Sequence, residues 1–216
     1  LKNHFLPLMS IDLAEINPDW AGQKVYMLCP FEGNQSCIGG KTTEHHNEYT
    51  APNWLAFRLT DDNKFEFLGE EGYFERTAIH HWDFDSEEEK ELQEMQEGYE
   101  KNKVNFEKYG LLVSLQYPEY NGKPNFTKFL DHLGGDILSG NWQGAIDYDQ
   151  YPKAFDMKLE YENQSSPDWI KISYQGNPFY FIADTASYDW CKGHIDGIIM
   201  LYEPVSRIVL FTFDYS

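Results

Sequence analysis

Residues 86–109 read as one long helix, and no other stretch limits the fold as much. Leu92, Met95, Tyr99 and Phe106 recur at spacings of 3, 4 and 7 residues, the period of a single apolar helix face. Ser86 with Glu89 forms the Ser-x-x-Glu pattern of a capping box. Gly110 supplies the stop, because a left-handed residue past a helix end costs glycine no Cβ clash. A stripe this thin cannot hold a helix in water by propensity alone. It must be packed onto something, and the rest of the chain offers mainly strands.

The same stretch carries an unusual charge. Asp83, Asp85, Glu87, Glu88, Glu89, Glu91, Glu94, Glu97 and Glu100 stand against the single Lys90, a net −8 over residues 83–100. Carboxylates in a first turn complement the positive helix dipole, but nine exceed that need. Like charges four apart, such as Glu87 and Glu91, cost roughly a few tenths of a kcal/mol each. The whole chain shows the same bias, with 17 basic and 36 acidic residues and a formal charge of −19. Such a surface repels nucleic acid and anionic membranes and attracts basic proteins. Asp83, Asp85, Glu87, Glu91 and Glu94 are therefore expected to form a partner-binding face. Solubility alone is the bland account of the same charge.

The strand signals are many and short. Phe5 to Ile16, a short apolar strand leading into a turn, and Lys24 to Cys29 flank a polar connection holding Pro18 and Gly22, an early pairing unit. Trp54–Leu59 and Phe65–Leu68 flank Asp61, Asp62 and Asn63, a hairpin signal. Tyr73 to Ile79 and Leu111 to Tyr117 also read as strands, and 155–161 alternates with period 2. Trp169–Tyr174 and Pro178–Ala183 flank Gln175, Gly176 and Asn177, a second hairpin signal. Asp184 is expected to cap a short helix ending near Gly193. Strands over 196–202 and 207–213 close the chain. Aromatic residues make up 17% of it, a load that suits pleated surfaces. The expectation is a single α+β domain over 1–216, mostly antiparallel, with the acidic helix and one or two short helices.

A second helix is expected after Asn125, because Phe126, Phe129, Leu130 and Leu133 fall at i, i+3, i+4 and i+7. Asn125 is suited to cap its start, and Gly134 and Gly135 to end it. Gly140 then turns the chain into Trp142 and Gln143. A buried tryptophan after a helix stop is the plain reading, and Gly135, Trp142 and Gln143 form the candidate pocket.

Catalytic signals are thin. His45 with His46, and His80 with His81 near Asp83 and Asp85, are the metal-like clusters. Zinc needs three or four convergent ligands, and these pairs lie over 30 residues apart. Neither a metal nor another cofactor is expected. The chain has no Gly-x-Ser-x-Gly and no P-loop pattern, and no catalytic residue is assigned. Cys29, Cys37 and Cys191 cannot all pair within one chain and are read as reduced thiols of a cytoplasmic protein. Asp12 and Glu15 stand where a signal sequence would keep its apolar core.

Three stretches together resemble the YwqG-like family of bacterial proteins. The first is Leu6-Pro-Leu-Met-Ser-Ile-Asp-Leu-Ala-Glu-Ile16, followed by Gly22 and the strand to Cys29. The second is Asp131-His-Leu-Gly-Gly135 with Trp142-Gln143 and Tyr151-Pro152 downstream. The third is Gly176-Asn-Pro-Phe-Tyr-Phe-Ile-Ala-Asp184. Ser10 stands where the family often has Gln, and Tyr174-Gln175-Gly176 replaces its Trp-Gly-Asp. The resemblance implies an α+β, mostly antiparallel fold and supplies no reaction. The function expected is a non-enzymatic acidic protein that binds a basic protein, in its most concrete form an immunity protein covering a cationic toxin. The alternative is a metal-dependent or hydrolytic enzyme using His45, His46, His80 and His81.

Overall fold

The computed structural model of the chain describes residues 3–32, 37–78, 86–137, 139–160 and 169–215. The strands are β1 (Phe5–Asp12), β2 (Lys24–Pro30), β3 (Thr50–Ala51), β4 (Trp54–Leu59), β5 (Phe65–Phe67), β6 (Leu112–Val113), β7 (Glu119–Tyr120), β8 (Lys123–Pro124), β9 (Phe126–Thr127), β10 (His132–Leu133), β11 (Asp156–Glu160), β12 (Trp169–Tyr174), β13 (Asn177–Pro178), β14 (Tyr180–Thr185), β15 (Gly197–Glu203) and β16 (Ile208–Asp214). The α-helices are α1 (Glu75–Ala78), α2 (Ser86–Tyr109), α3 (Gly144–Asp147) and α4 (Ser187–Cys191).

A seven-stranded antiparallel sheet is the frame, in the order β10-β14-β15-β16-β4-β3, with β5 also paired to β4. Its middle strands are apolar at consecutive positions, so both faces are buried. Leu55, Phe57, Met200, Tyr202, Val209 and Phe211 point to one side. Trp54, Ala56, Ile199, Leu201, Ile208 and Leu210 point to the other. The first side is covered by α2, α4 and the β1–β2 ribbon, the second by the β11–β12–β13 sheet with Trp142 and Ile146. The fold is α+β, and its strand pairs are antiparallel among the described residues.

The long helix spans Ser86–Tyr109. Met95 and Tyr99 are buried, Leu92 and Phe106 pack partly against the core, and Gly110 ends the helix at φ +65°. The Gly110 amide donates to the Phe106 carbonyl at 2.8 Å. The capping residue before Ser86 lies outside the described residues. The first hairpin signal forms, with Leu59 facing Phe65. Of the second only the tip forms, Tyr174 facing Asn177 and Ser173 facing Pro178, while residues 180–185 leave it to join the main sheet as β14. The early unit is the β1–β2 pair, with a bulge between Pro7 and Met9.

Several expectations fail for stated reasons. Residues 126–133 are not a helix. Leu112 pairs with Thr127 and Val113 with Phe126, while His132 and Leu133 pair with Asp184 and Ala183. Phe126 and Leu133, the two ends of the supposed apolar face, stay exposed. Cross-strand partners from distant sequence outweighed a local period that had no surface to bury against. Asn125 caps nothing; its side chain donates to the Tyr117 carbonyl at 2.9 Å and closes a hairpin. Gly134 and Gly135 do have positive φ, +67° and +100°, in a bend that follows β10 rather than at a helix end. Residues 71–78 form a 3₁₀ turn, Glu71–Tyr73, and then α1. Tyr73 and Phe74 are both fully buried, and their amides donate to the Glu70 and Glu71 carbonyls at 2.9 and 3.2 Å, local turn bonds in place of a strand ladder. Of 111–117 only Leu112–Val113 is strand. Asp184 lies in β14, and Ala186 occupies the cap position of α4.

Candidate functional site

The acidic surface is built on a helix whose opposite side is fixed. The Tyr99 hydroxyl donates to the Pro7 carbonyl at 2.6 Å. At Gly98 a Cβ would lie 3.2 Å from the Cys191 carbonyl carbon and oxygen, so glycine lets α4 approach α2 closely. Asn102, fully buried, donates to the Asp189 carbonyl at 2.7 Å and accepts from the Val113 amide at 3.1 Å. These contacts fix the rotation of α2, and with it the direction of its outer carboxylates.

Of the residues expected to bind a partner, Glu87 and Glu94 are exposed and Glu91 is half-buried on α2. Glu89, Glu97 and Glu100 join them in solvent, whereas Glu88 is buried. Lys90 and Lys192 reach Glu94 at 3.7 and 3.9 Å. Gln93 and Gln96 donate to Glu97 and Glu100. Asp83 and Asp85 lie outside the described residues, as do His80 and His81.

Of the candidate pocket residues, Gly135 is exposed, Gln143 half-buried and Trp142 buried. Trp142 is buried, its ring edge-on to Trp54 at 5.6 Å. Gln143 turns back to accept from the Gly140 amide at 3.2 Å. A Cβ at Gly135 would meet open space. The loop after Gly140 faces the core because Asp214 holds it, accepting from the Trp142 amide at 3.3 Å.

His45 and His46 serve the loop around them. A Cβ on Gly72 would lie 2.5 Å from the His45 ring. His46 Nε2 lies 2.9 Å from the Gly39 carbonyl, and its ring packs on Tyr73. Burial holds the His46 imidazole below its usual value. Among the described residues no three His, Cys, Asp or Glu side chains are grouped to hold a metal ion.

Two constellations carry no local signal in the sequence. His132 and Asp184 face each other across β10 and β14, with His132 Nδ1 at 2.9 Å from Asp184 Oδ1. The Asp184 carboxylate also accepts the His132 amide at 2.8 Å. Burial lifts its pKa, opposed by the His132 ring. A carboxylate-oriented imidazole is half of a general-base arrangement. Among the described residues no hydroxyl or thiol hydrogen-bonds to that ring. His132 sat inside the misread helix, which hid its facing partner. The second constellation is the pair Cys29 and Cys191, whose sulfurs lie 3.7 Å apart. Sequence distance concealed that pairing.

An open groove of 540 Å³ runs between the β1–β2 ribbon and the β4–β5 hairpin, walled by Phe5, Pro7, Tyr26, Leu28, Phe57 and Phe65. Asn63 at its edge is already used, accepting from the Lys24 amide and donating to the Gly22 carbonyl. Lys64 is paired with Asp62 at 2.6 Å. These two groups are thus engaged within the fold rather than directed at a substrate.

The chain matches no protein-family model, no curated protein and no solved structure. Among the described residues no helix is long and apolar enough to cross a membrane.

Proposed function

We propose that this chain is a non-enzymatic, cytoplasmic binding protein whose acidic α2 face docks a basic protein. An immunity protein covering a cationic toxin is the most concrete form of that reading. The observation that carries it is the fixed presentation of exposed carboxylates: Glu87, Glu94, Glu97 and Glu100 line solvent while Met95, Tyr99 and Asn102 lock the other side of the same helix. Rigid surfaces with a large excess of one sign steer an oppositely charged partner and speed encounter. We infer, on the three motifs that carry the resemblance, kinship with YwqG-like proteins, which adds no reaction.

The test is a parallel capture from the source cell. Wild-type protein and the Glu87→Lys, Glu91→Lys, Glu94→Lys triple variant serve as baits at low salt. The reading expects a basic protein held by the wild type at near-stoichiometric yield, released by salt and lost from the variant. Retention of the same protein on both baits defeats the charged-face reading.

A further inference from the structure

Cys29 lies near the end of β2 and Cys191 ends α4, 162 positions apart in the sequence. Both side chains are fully buried, and their sulfurs are 3.7 Å apart. Neither is disulfide-bonded. Each thiol has a backbone acceptor in reach, Pro30 at 3.5 Å for Cys29 and Ser187 at 3.3 Å for Cys191. The reduced pair is thus accommodated in the core. The position of Cys191 is not accidental to its surroundings. Gly98 of α2 allows the Cys191 carbonyl to come close, and Asn102 binds the Asp189 carbonyl within the same short helix.

We propose that Cys29 and Cys191 are an oxidative modification site, closing to an intrachain disulfide that ties the β1–β2 ribbon to α4. Disulfide sulfurs stand ~2.05 Å apart, so each sulfur has less than ~1 Å to travel. Hydrogen peroxide is the oxidant of the simplest balanced route. One cysteine, as thiolate, attacks a peroxide oxygen; the O–O bond breaks, leaving a sulfenic acid and hydroxide. The second cysteine's sulfur then attacks the sulfenic sulfur, the S–S bond forms, and that oxygen leaves as water. In sum two S–H bonds are lost and one peroxide is reduced to two waters. The hydrogen bond with Cys191, and then burial, push the Cys29 thiol up. The folded protein therefore reacts only through local opening that exposes the buried sulfurs, and reductants reach the closed bond by the same opening. Cys37 is exposed and takes no part.

The experiment uses the Cys37→Ala chain, so that the exposed thiol cannot compete. The protein is treated with hydrogen peroxide and, separately, refolded from denaturant in a glutathione redox buffer, where burial does not limit access. Both samples are then denatured and alkylated. The expected product is about 2 Da lighter than the reduced chain, resists alkylation, and gives one linked peptide containing Cys29 and Cys191. Its melting temperature exceeds that of the reduced chain, and a thiol reductant reverses the difference. Adding Cys191→Ala abolishes the mass loss. Two alkylated cysteines after refolding in the redox buffer overturn the proposal, as does oxidation to sulfinic acid with no linked peptide.

Discussion

Asn102, in the middle of α2, donates its side-chain amide to the backbone carbonyl of Asp189 in α4 at 2.7 Å. The same side chain accepts from Val113 at 3.1 Å and from Asn105 at 3.0 Å. One fully buried amide therefore joins the acidic helix, the short helix beside it and strand β6. A buried polar group so placed is tolerable because both its nitrogen and its oxygen are bonded.

Replacing Asn102 with Ala removes all three bonds and leaves the Asp189 carbonyl and the Val113 amide buried without that partner. The expected loss is about 2 kcal/mol, read as a lower denaturation midpoint at unchanged slope. A midpoint equal to the wild type would remove the amide from the account of how α2 is held.

Gly135 has φ +100° and open space where a Cβ would stand. Crowding is therefore excluded as the reason for glycine, and backbone conformation remains. Gly135→Val is expected to destabilise by over ~1 kcal/mol through strain alone, measured by chemical denaturation. Unchanged stability would show that the turn relaxes to a conformation valine accepts.

His46 gives a signed pH prediction. Burial holds its imidazole below the usual 6.5, so the unfolded chain takes up the proton first as pH falls. The folded state then loses stability below pH 6.5, and the contribution is fully present above it. His46→Gln has no such titration. Between about pH 7 and pH 5 the wild-type melting temperature should fall further than that of the variant. Parallel curves would place the acid sensitivity in other groups.

The parts of the fold read correctly from the sequence are those whose signals are local. Helix α2 has a long period, a glycine stop and a charge pattern that excludes its use as a strand. The hairpins carry Asn63 and Gln175-Gly176 at their turns, with φ of +58°, +52° and +83°. Residues 126–133 were misread because four apolar residues at helical spacing are few enough to arise without a helix. Their backbone is instead committed to β6 and β14, which lie at a distance no local window samples. The same limit hid His132–Asp184 and Cys29–Cys191, pairs made only when remote strands and helices meet. Trp142 is buried, as its plain reading from the sequence has it, but the group that holds its loop was not legible. Asp214, 72 residues on, turns that loop inward.

The central claim is that the outer face of α2 docks a cationic protein. Its most direct test is the association rate of the captured basic partner with wild-type protein and with the Glu87→Lys, Glu91→Lys, Glu94→Lys triple variant, followed by stopped flow across a salt series. The account predicts association at least ~10-fold slower for the variant at low ionic strength, with the difference shrinking as salt rises. Equal association rates at low ionic strength would contradict it and leave the acidic face a solvated surface.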